Sequence, residues 1–194
     1  MKNSSFKIYA PAFDMPVHSD AEAFGVATWL WMHAKNHREV PLLALDHMLL
    51  PAINLRQYVL VLEEAQHGTR PIGYLSWANL SAEAESRYLN NPLKGLSNQD
   101  WNSGDRMWCI DFFAPFGHSR QVLALCKPFF SKASARYMYH RSHEQGVRVM
   151  TFTGPRVDPA YARQWWADRP MMAAPPTPPV VSTNGINTLA SRRS

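Results

Sequence analysis

A single carboxylate stands inside the apolar run Met107-Trp108-Cys109-Ile110-Asp111-Phe112-Phe113. The aromatic and branched side chains of Arg106–Phe113 favour a strand. An ionised carboxylate there is costly unless it is paired or given hydrogen bonds. The run therefore predicts a strand over 106–113 and a partner for Asp111. Two readings of Asp111 stay open on these residues alone. It is a structural aspartate bound by a neighbouring Arg or by backbone amides, or it is a functional group whose proton affinity desolvation sets.

The rest of the chain surrounds this strand with short elements of both kinds. Residues 1–18, with Pro11 and Pro16, read as an irregular leader. Ser19 and Glu22 have capping-box spacing, which predicts a helix through Phe24, Ala27, Trp31 and Ala34. Pro41 fits the first turn of a second helix, Leu42 to Leu50, with Pro51 ending it. Gln57–Leu62 and Ile72–Ala78 read as a hairpin with Gly68 in its turn. Ser81 can cap a short helix through Tyr88, with Glu83 and Glu85 near its positive end.

Residues 93–105 read as a polar loop. After Phe113, Ala114-Pro115-Phe116-Gly117 breaks the strand, and Ser119 can cap a helix to about Lys132. Weaker strands follow near Ala135–Arg141 and Val147–Thr153. Asp158-Pro159 opens a last helix through Trp165 and Trp166. From Pro175 the composition turns to Pro, Ser, Thr, Asn and Gly, as in a disordered tail. The expectation is an α+β fold with a largely antiparallel sheet: a leader over 1–18, one domain over 19–170 and a tail over 171–194.

With 46% hydrophobic and 18% charged residues in 194, the chain can bury a real core. Its two cysteines, Cys109 and Cys126, are too few for a disulfide framework and lack metal-ligand spacing. No apolar stretch at the N-terminus resembles a signal, and the longest runs, such as Trp29-Leu30-Trp31-Met32, are far too short to span a membrane. These features predict a cytoplasmic protein without a transmembrane segment. The net charge of +5 favours acidic partners, but the basic residues are scattered and no nucleic-acid-binding motif accompanies them. Walker, Rossmann, His-Glu-x-x-His and Gly-x-Ser-x-Gly patterns are absent.

Three further groups could carry chemistry. His37 lies between the first helix and Pro41, in a connection where a side chain can reach a cleft; it is a surface histidine or a proton acceptor. Cys109, two residues before Asp111, is expected on the same sheet face by alternation, as a core thiol or a nucleophile. Gly117-His118-Ser119 opens a helix whose free amides either end in a plain cap or receive a phosphate, such as that of a phosphopantetheine arm.

Ordered blocks then extend these observations over residues 24 to 130. They are Trp29-Leu30-Trp31, His37-Arg38, Leu50-Pro51-Ala52-Ile53, Gln57-Tyr58, Tyr74-Leu75-Ser76-Trp77-Ala78-Asn79-Leu80-Ser81 and Tyr88-Leu89-Asn90. Trp101-Asn102-Ser103-Gly104-Asp105-Arg106 follows, then Trp108, Ile110-Asp111 and Ala114-Pro115-Phe116-Gly117. Together they resemble the RTX toxin-activating lysine acyltransferases, of haemolysin-activating and adenylate-cyclase-toxin-activating type. Family members often carry Ser-Pro where this chain has Ala34-Lys35, and a tryptophan where it has Phe112.

The resemblance implies a GNAT-like single domain, a mostly antiparallel mixed sheet flanked by helices. It places the family's catalytic histidine on His37 and its catalytic aspartate on Asp111. It implies acyl-acyl carrier protein as the donor substrate, with no bound cofactor or metal, internal lysines of an RTX protoxin as acceptors, and a homodimer. Two other readings remain: a GNAT-like acyl-CoA N-acyltransferase on a small amine, and a non-catalytic homologue that binds a carrier protein or toxin.

Overall fold

Ser19 Oγ accepts from the Glu22 amide at 3.2 Å while the Glu22 carboxylate accepts the Ser19 amide at 2.9 Å. This reciprocal cap starts α1, Asp20–His33, as the sequence predicts. In the computed structural model, residues 5–15, 19–66, 68–91, 96–139 and 148–171 are described. Helix α1 buries Ala23, Ala27, Leu30 and Trp31, a stripe at three- and four-residue spacing.

That stripe packs on a six-stranded sheet of β1 (Phe6–Tyr9), β2 (Tyr58–Ala65), β3 (Gly68–Leu80), β4 (Arg106–Phe113), β5 (Ser134–Tyr139) and β6 (Arg148–Thr153). The strands lie in sequence order, and all neighbours are antiparallel except β4 and β5. A parallel pair needs a crossover, and α5 (Ser119–Cys126) lies in it. The result is an α+β domain with a mixed, mostly antiparallel open sheet, compatible with the GNAT-like arrangement.

Both sheet faces are covered. On one, Leu60, Leu62, Tyr74 and Phe113 meet α1 and the short helices α2 (Leu45–Met48) and α3 (Leu50–Asn54). Helix α4 (Ala82–Asn90) adjoins them, with Tyr88 and Leu89 among Ala52, Ala78, Leu80 and Trp108. On the opposite face, Val59, Val61, Leu75 and Trp77 meet Val122 and Cys126 of α5. Helix α6 (Pro159–Asp168) starts at Asp158, whose carboxylate accepts from the Ala160 and Tyr161 amides at 2.9 Å.

Four local expectations need correction. The leader carries β1, because pairing with β2 satisfies its backbone. The helix expected over Leu42 to Leu50 is a 3-10 turn, Leu42–Ala44, followed by α2. Pro51 opens α3 instead of ending a helix, since a first-turn proline gives up no helical hydrogen bond. Ser119 is the first helical residue of α5, with His118 in the cap position, and α5 ends at Cys126 and not near Lys132. Lys127 keeps helical dihedrals, but Pro128 has no amide to donate back to the Ala124 carbonyl, so the ladder stops. Pro16 and the expected tail from Pro175 lie outside the described residues. Among the described residues, no helix is long and apolar enough to cross a membrane.

One buried carboxylate ties the helical layer to the parallel junction. Glu85 of α4 is fully buried and accepts from Arg106 (2.8 Å), Trp108 (2.9 Å) and Arg136 (2.9 Å), which lie on β4 and β5. Arg106 also donates to the Pro170 carbonyl and Arg136 to that of Arg169, anchoring the chain beyond α6. Arg136 in addition lies 5.1 Å from the Trp166 ring centre. Removing one partner of such a cluster strands the others without solvation. Glu85→Ala should cost roughly 3–5 kcal/mol in urea unfolding, whereas a loss below about 1 kcal/mol would show that the cluster holds nothing together.

Candidate active site

Helix α1 stops at His33, where the Ala34 amide bonds back to the Leu30 and Trp31 carbonyls. The chain then turns tightly: the His37 and Arg38 amides both donate to the Ala34 carbonyl, at 2.9 and 3.0 Å. Trp31, buried in α1, donates Nε1–H to the His37 carbonyl at 2.9 Å and so holds the turn against the helix. The imidazole packs edge-on to Trp31 (ring centres 4.4 Å apart) and against Phe113 (5.0 Å). Here its Nε2 lies 3.1 Å from Asp111 Oδ1, joining residues 74 positions apart. The two side chains keep only 19% and 13% of their surface exposed. The partner that the apolar strand demanded for Asp111 is therefore His37.

Asp111 faces this side because β4 is irregular. Ser76 of β3 pairs with Asp111, while the next residue, Trp77, pairs with Cys109. One extra residue, Ile110, is thus accommodated as a β-bulge, a device that re-aims side chains. Paired residues share a face, so Asp111 joins Ser76 beneath α1, whereas Cys109 joins Trp77 in the cluster on the α5 side. This corrects the expectation that Cys109 and Asp111 share a face: alternation fails across a bulge. The Cys109 thiol is pushed up to about 12 by burial first and by the Asp111 charge second. It is held protonated at neutral pH, unlike a thiol activated for attack.

In a neutral imidazole, an Nε2–H donated to the Asp111 carboxylate leaves the lone pair on Nδ1. Nδ1 is buried and has no hydrogen-bond partner. Two further polar atoms share this property beside the pair: the Tyr74 hydroxyl and the Ser76 hydroxyl, both on fully buried residues of β3. Sequence reasoning passed over Tyr74 and Ser76. The signal was their alternation on a predicted strand, but their alignment with Asp111 depends on the bulge.

Outside the pair, Trp29 and His33 on the last turns of α1 pack together (ring centres 4.3 Å apart) and meet Phe116 at 5.4 and 5.3 Å. Trp29 remains 41% exposed, so this shelf is open to an apolar ligand. Gly117-His118-Ser119 lies just beyond it, at the entry to α5. Gly117 has φ +83°, which favours glycine, and no side chain caps the α5 N-terminus. Among the described residues, no hydrogen bond or ring contact joins these three to His37 or Asp111. A separate cleft of about 590 Å³, lined by His47, Arg87, Asn90 and Asp100 among others, contains neither member of the pair. No group of three His, Cys, Asp or Glu side chains able to hold a metal occurs among the described residues.

The sequence profile of the RTX toxin acyltransferase family matches residues 17–153, which include the pair, the bulge and the shelf. The chain is 35% identical over 140 residues to the protein-lysine myristoyltransferase RtxC of Kingella kingae, covering 72% of this chain and 81% of that protein. It is 35% identical over 150 residues to the leukotoxin-activating lysine-acyltransferase LtxC of Aggregatibacter actinomycetemcomitans, covering 77% and 86%. A protein-lysine myristoyltransferase, HlyC of Escherichia coli, is 34% identical over 150 residues, covering 77% and 85%. With strands β2 to β6, the helices α1 to α5 and the histidine–aspartate pair inside the matched segment, the chain belongs to the RTX toxin acyltransferase family.

Proposed function

We propose that this protein moves a fatty acyl chain from acyl-acyl carrier protein to internal lysines of an RTX protoxin in the cytoplasm, and thereby activates the toxin. The observation that carries the chemistry is the 3.1 Å contact between His37 Nε2 and Asp111 Oδ1 in a largely desolvated setting. A lysine attacks only as the neutral amine, and it must lose a second proton as the amide forms. His37 takes that proton on Nδ1. Asp111, bonded to Nε2–H, selects this tautomer and stabilises the imidazolium. The amine nitrogen attacks the thioester carbonyl, the C–S bond breaks, and the proton held by His37 passes to the departing carrier thiolate. Since Nδ1 is buried, the connection carrying His37 must yield as the lysine arrives.

Three other features support the reading. The Trp29–His33–Phe116 shelf offers an apolar track for the acyl chain beside the pair. The N-terminus of α5 at Gly117-His118-Ser119, which no side chain caps, offers the amides of His118 and Ser119 for the phosphopantetheine phosphate, that of Gly117 donating to the Ala114 carbonyl. Exposed Lys35 and Arg38 flank His37, and the chain's net charge of +5 complements an acidic carrier.

Purified protein incubated with long-chain acyl-acyl carrier protein and RTX protoxin fragments should add the mass of the acyl chain to lysine. His37→Ala should lower that rate by roughly 10²–10⁴-fold, with an unchanged circular dichroism spectrum. Near-normal transfer by this variant would remove His37 as the base. Asp111→Asn should show a comparable loss, measured alongside a thermal melt so that misfolding is scored separately. Equal transfer from acyl-CoA would point instead to a small-molecule type of N-acyltransferase, and binding without turnover to a non-catalytic partner protein.

The protonated, α5-facing thiol of Cys109 argues against an acyl-cysteine intermediate. Cys109→Ala should keep transfer within about threefold of the parent. Loss of transfer in a variant that still melts normally would restore the thiol as a nucleophile.

A further inference from the structure

Two buried hydroxyls beside the His37–Asp111 pair lack a well-formed hydrogen bond. Tyr74 and Ser76 are each 0% exposed, and neither Tyr74 Oη nor Ser76 Oγ has a partner at hydrogen-bond geometry, although Ser76 is near enough to Tyr74 to act on its hydroxyl. Leaving such a group unsatisfied costs about 1–3 kcal/mol, so two together on one strand call for a reason.

Their placement gives one. Ser76 is the cross-strand partner of Asp111, and directly paired side chains start about 5 Å apart. Tyr74 pairs with Phe113, on the same face and diagonal to Asp111, with its ring stacked on Phe113 at 4.9 Å. A diagonal neighbour is within reach of an aromatic side chain. Tyr74 remains a protonated donor: burial raises its hydroxyl well above the usual tyrosine range, and the Asp111 charge adds to this. Asp111 meanwhile accepts from His37 through Oδ1, and no other hydrogen bond to its carboxylate is present among the described residues. One nearly buried carboxylate with spare acceptor capacity thus lies beside two buried hydroxyls that have, at most, a loose contact with each other.

We propose that Tyr74 and Ser76 are positioning residues of the pair: in the working enzyme their hydroxyls donate to the Asp111 carboxylate, directly or across one water, and hold it aimed at His37 Nε2. This rests on the reading of His37 as the base. The bulge at Ile110 serves the same end, because without it Asp111 would turn to the opposite face from Ser76. The hydroxyls restrict the rotation of the carboxylate within an apolar layer. His37 then stays in the tautomer that leaves Nδ1 free to accept the lysine proton.

Tyr74→Phe and Ser76→Ala test this, since each removes one oxygen and almost no volume. Three readings are needed: thermal melting, acyl-transfer kinetics and the imidazole 15N spectrum of His37, assigned by its disappearance in His37→Ala. Each variant should still melt cooperatively and stay folded at the assay temperature, with a midpoint lowered by no more than the loss of one hydrogen bond to a buried carboxylate. Each should lower kcat about tenfold, the worth of one orienting hydrogen bond, with KM for donor and acceptor unchanged. The spectrum should pass from a single Nε2–H tautomer to a mixture. Parent-like kcat with an unmixed tautomer in both variants would overturn the proposal. So would a loss of kcat accounted for by the fraction unfolded at the assay temperature, with the tautomer unmixed. If His37→Ala itself transfers acyl chains normally, the base assignment fails, and the tautomer spectrum alone decides whether the hydroxyls hold the pair.

Discussion

Everything near the centre of this fold leans on one buried charge. Glu85 comes from the first turn of α4, yet its carboxylate receives donors from two strands. Those strands, β4 and β5, form the single parallel contact of the described sheet, through two residue pairs. A short parallel junction offers few ladder hydrogen bonds. The ionic cluster stands at the same level, with Trp108 and Arg136 as both cluster members and register partners. The guanidinium groups then reach the carbonyls that follow α6. A cluster of this kind is worth little against an apolar substitute of equal volume, but it is unforgiving once a member is lost. It specifies which strand sits beside β4.

The candidate site uses the same strand differently. Near its start, β4 pairs regularly with β3 and contributes Arg106 and Trp108 to the cluster. Past the bulge at Ile110, the strand shifts by one residue, and Asp111 comes out beneath α1. Trp31 sets the other half of the geometry by hydrogen bonding the backbone of the turn that carries His37. A regular strand would have placed Asp111 with Cys109 among the apolar side chains under α5. The catalytic reading of His37 and Asp111 therefore depends on a local defect in the sheet and on one indole hydrogen bond.

Several elements were legible from residue chemistry because their signals are local. Ser19 with Glu22, and Asp158 with Pro159, mark helix starts through hydrogen bonds within four residues, and both caps form as read. The hairpin around Gly68 and the strand Arg106–Phe113 follow from β-forming composition and a turn. Misreadings occurred where a residue's effect depends on its exact position or on distant partners. Pro51 suits the first turn of a helix as well as it stops one. The leader strand Phe6–Tyr9 exists only because β2 is there to pair with it.

The sequence by itself determined the class of fold, the family, and the demand that Asp111 find a partner, since an isolated carboxylate in an apolar strand cannot go unanswered. It named His37 through its motif resemblance. Only the tertiary structure decided that these two meet at 3.1 Å, that Cys109 turns to the opposite face, and that the hydroxyls of Tyr74 and Ser76 lie buried alongside. The reason is physical: caps and strand propensities act over a few residues. A bulge, by contrast, is fixed by the balance of packing on two faces of a sheet, which no single stretch of chain contains.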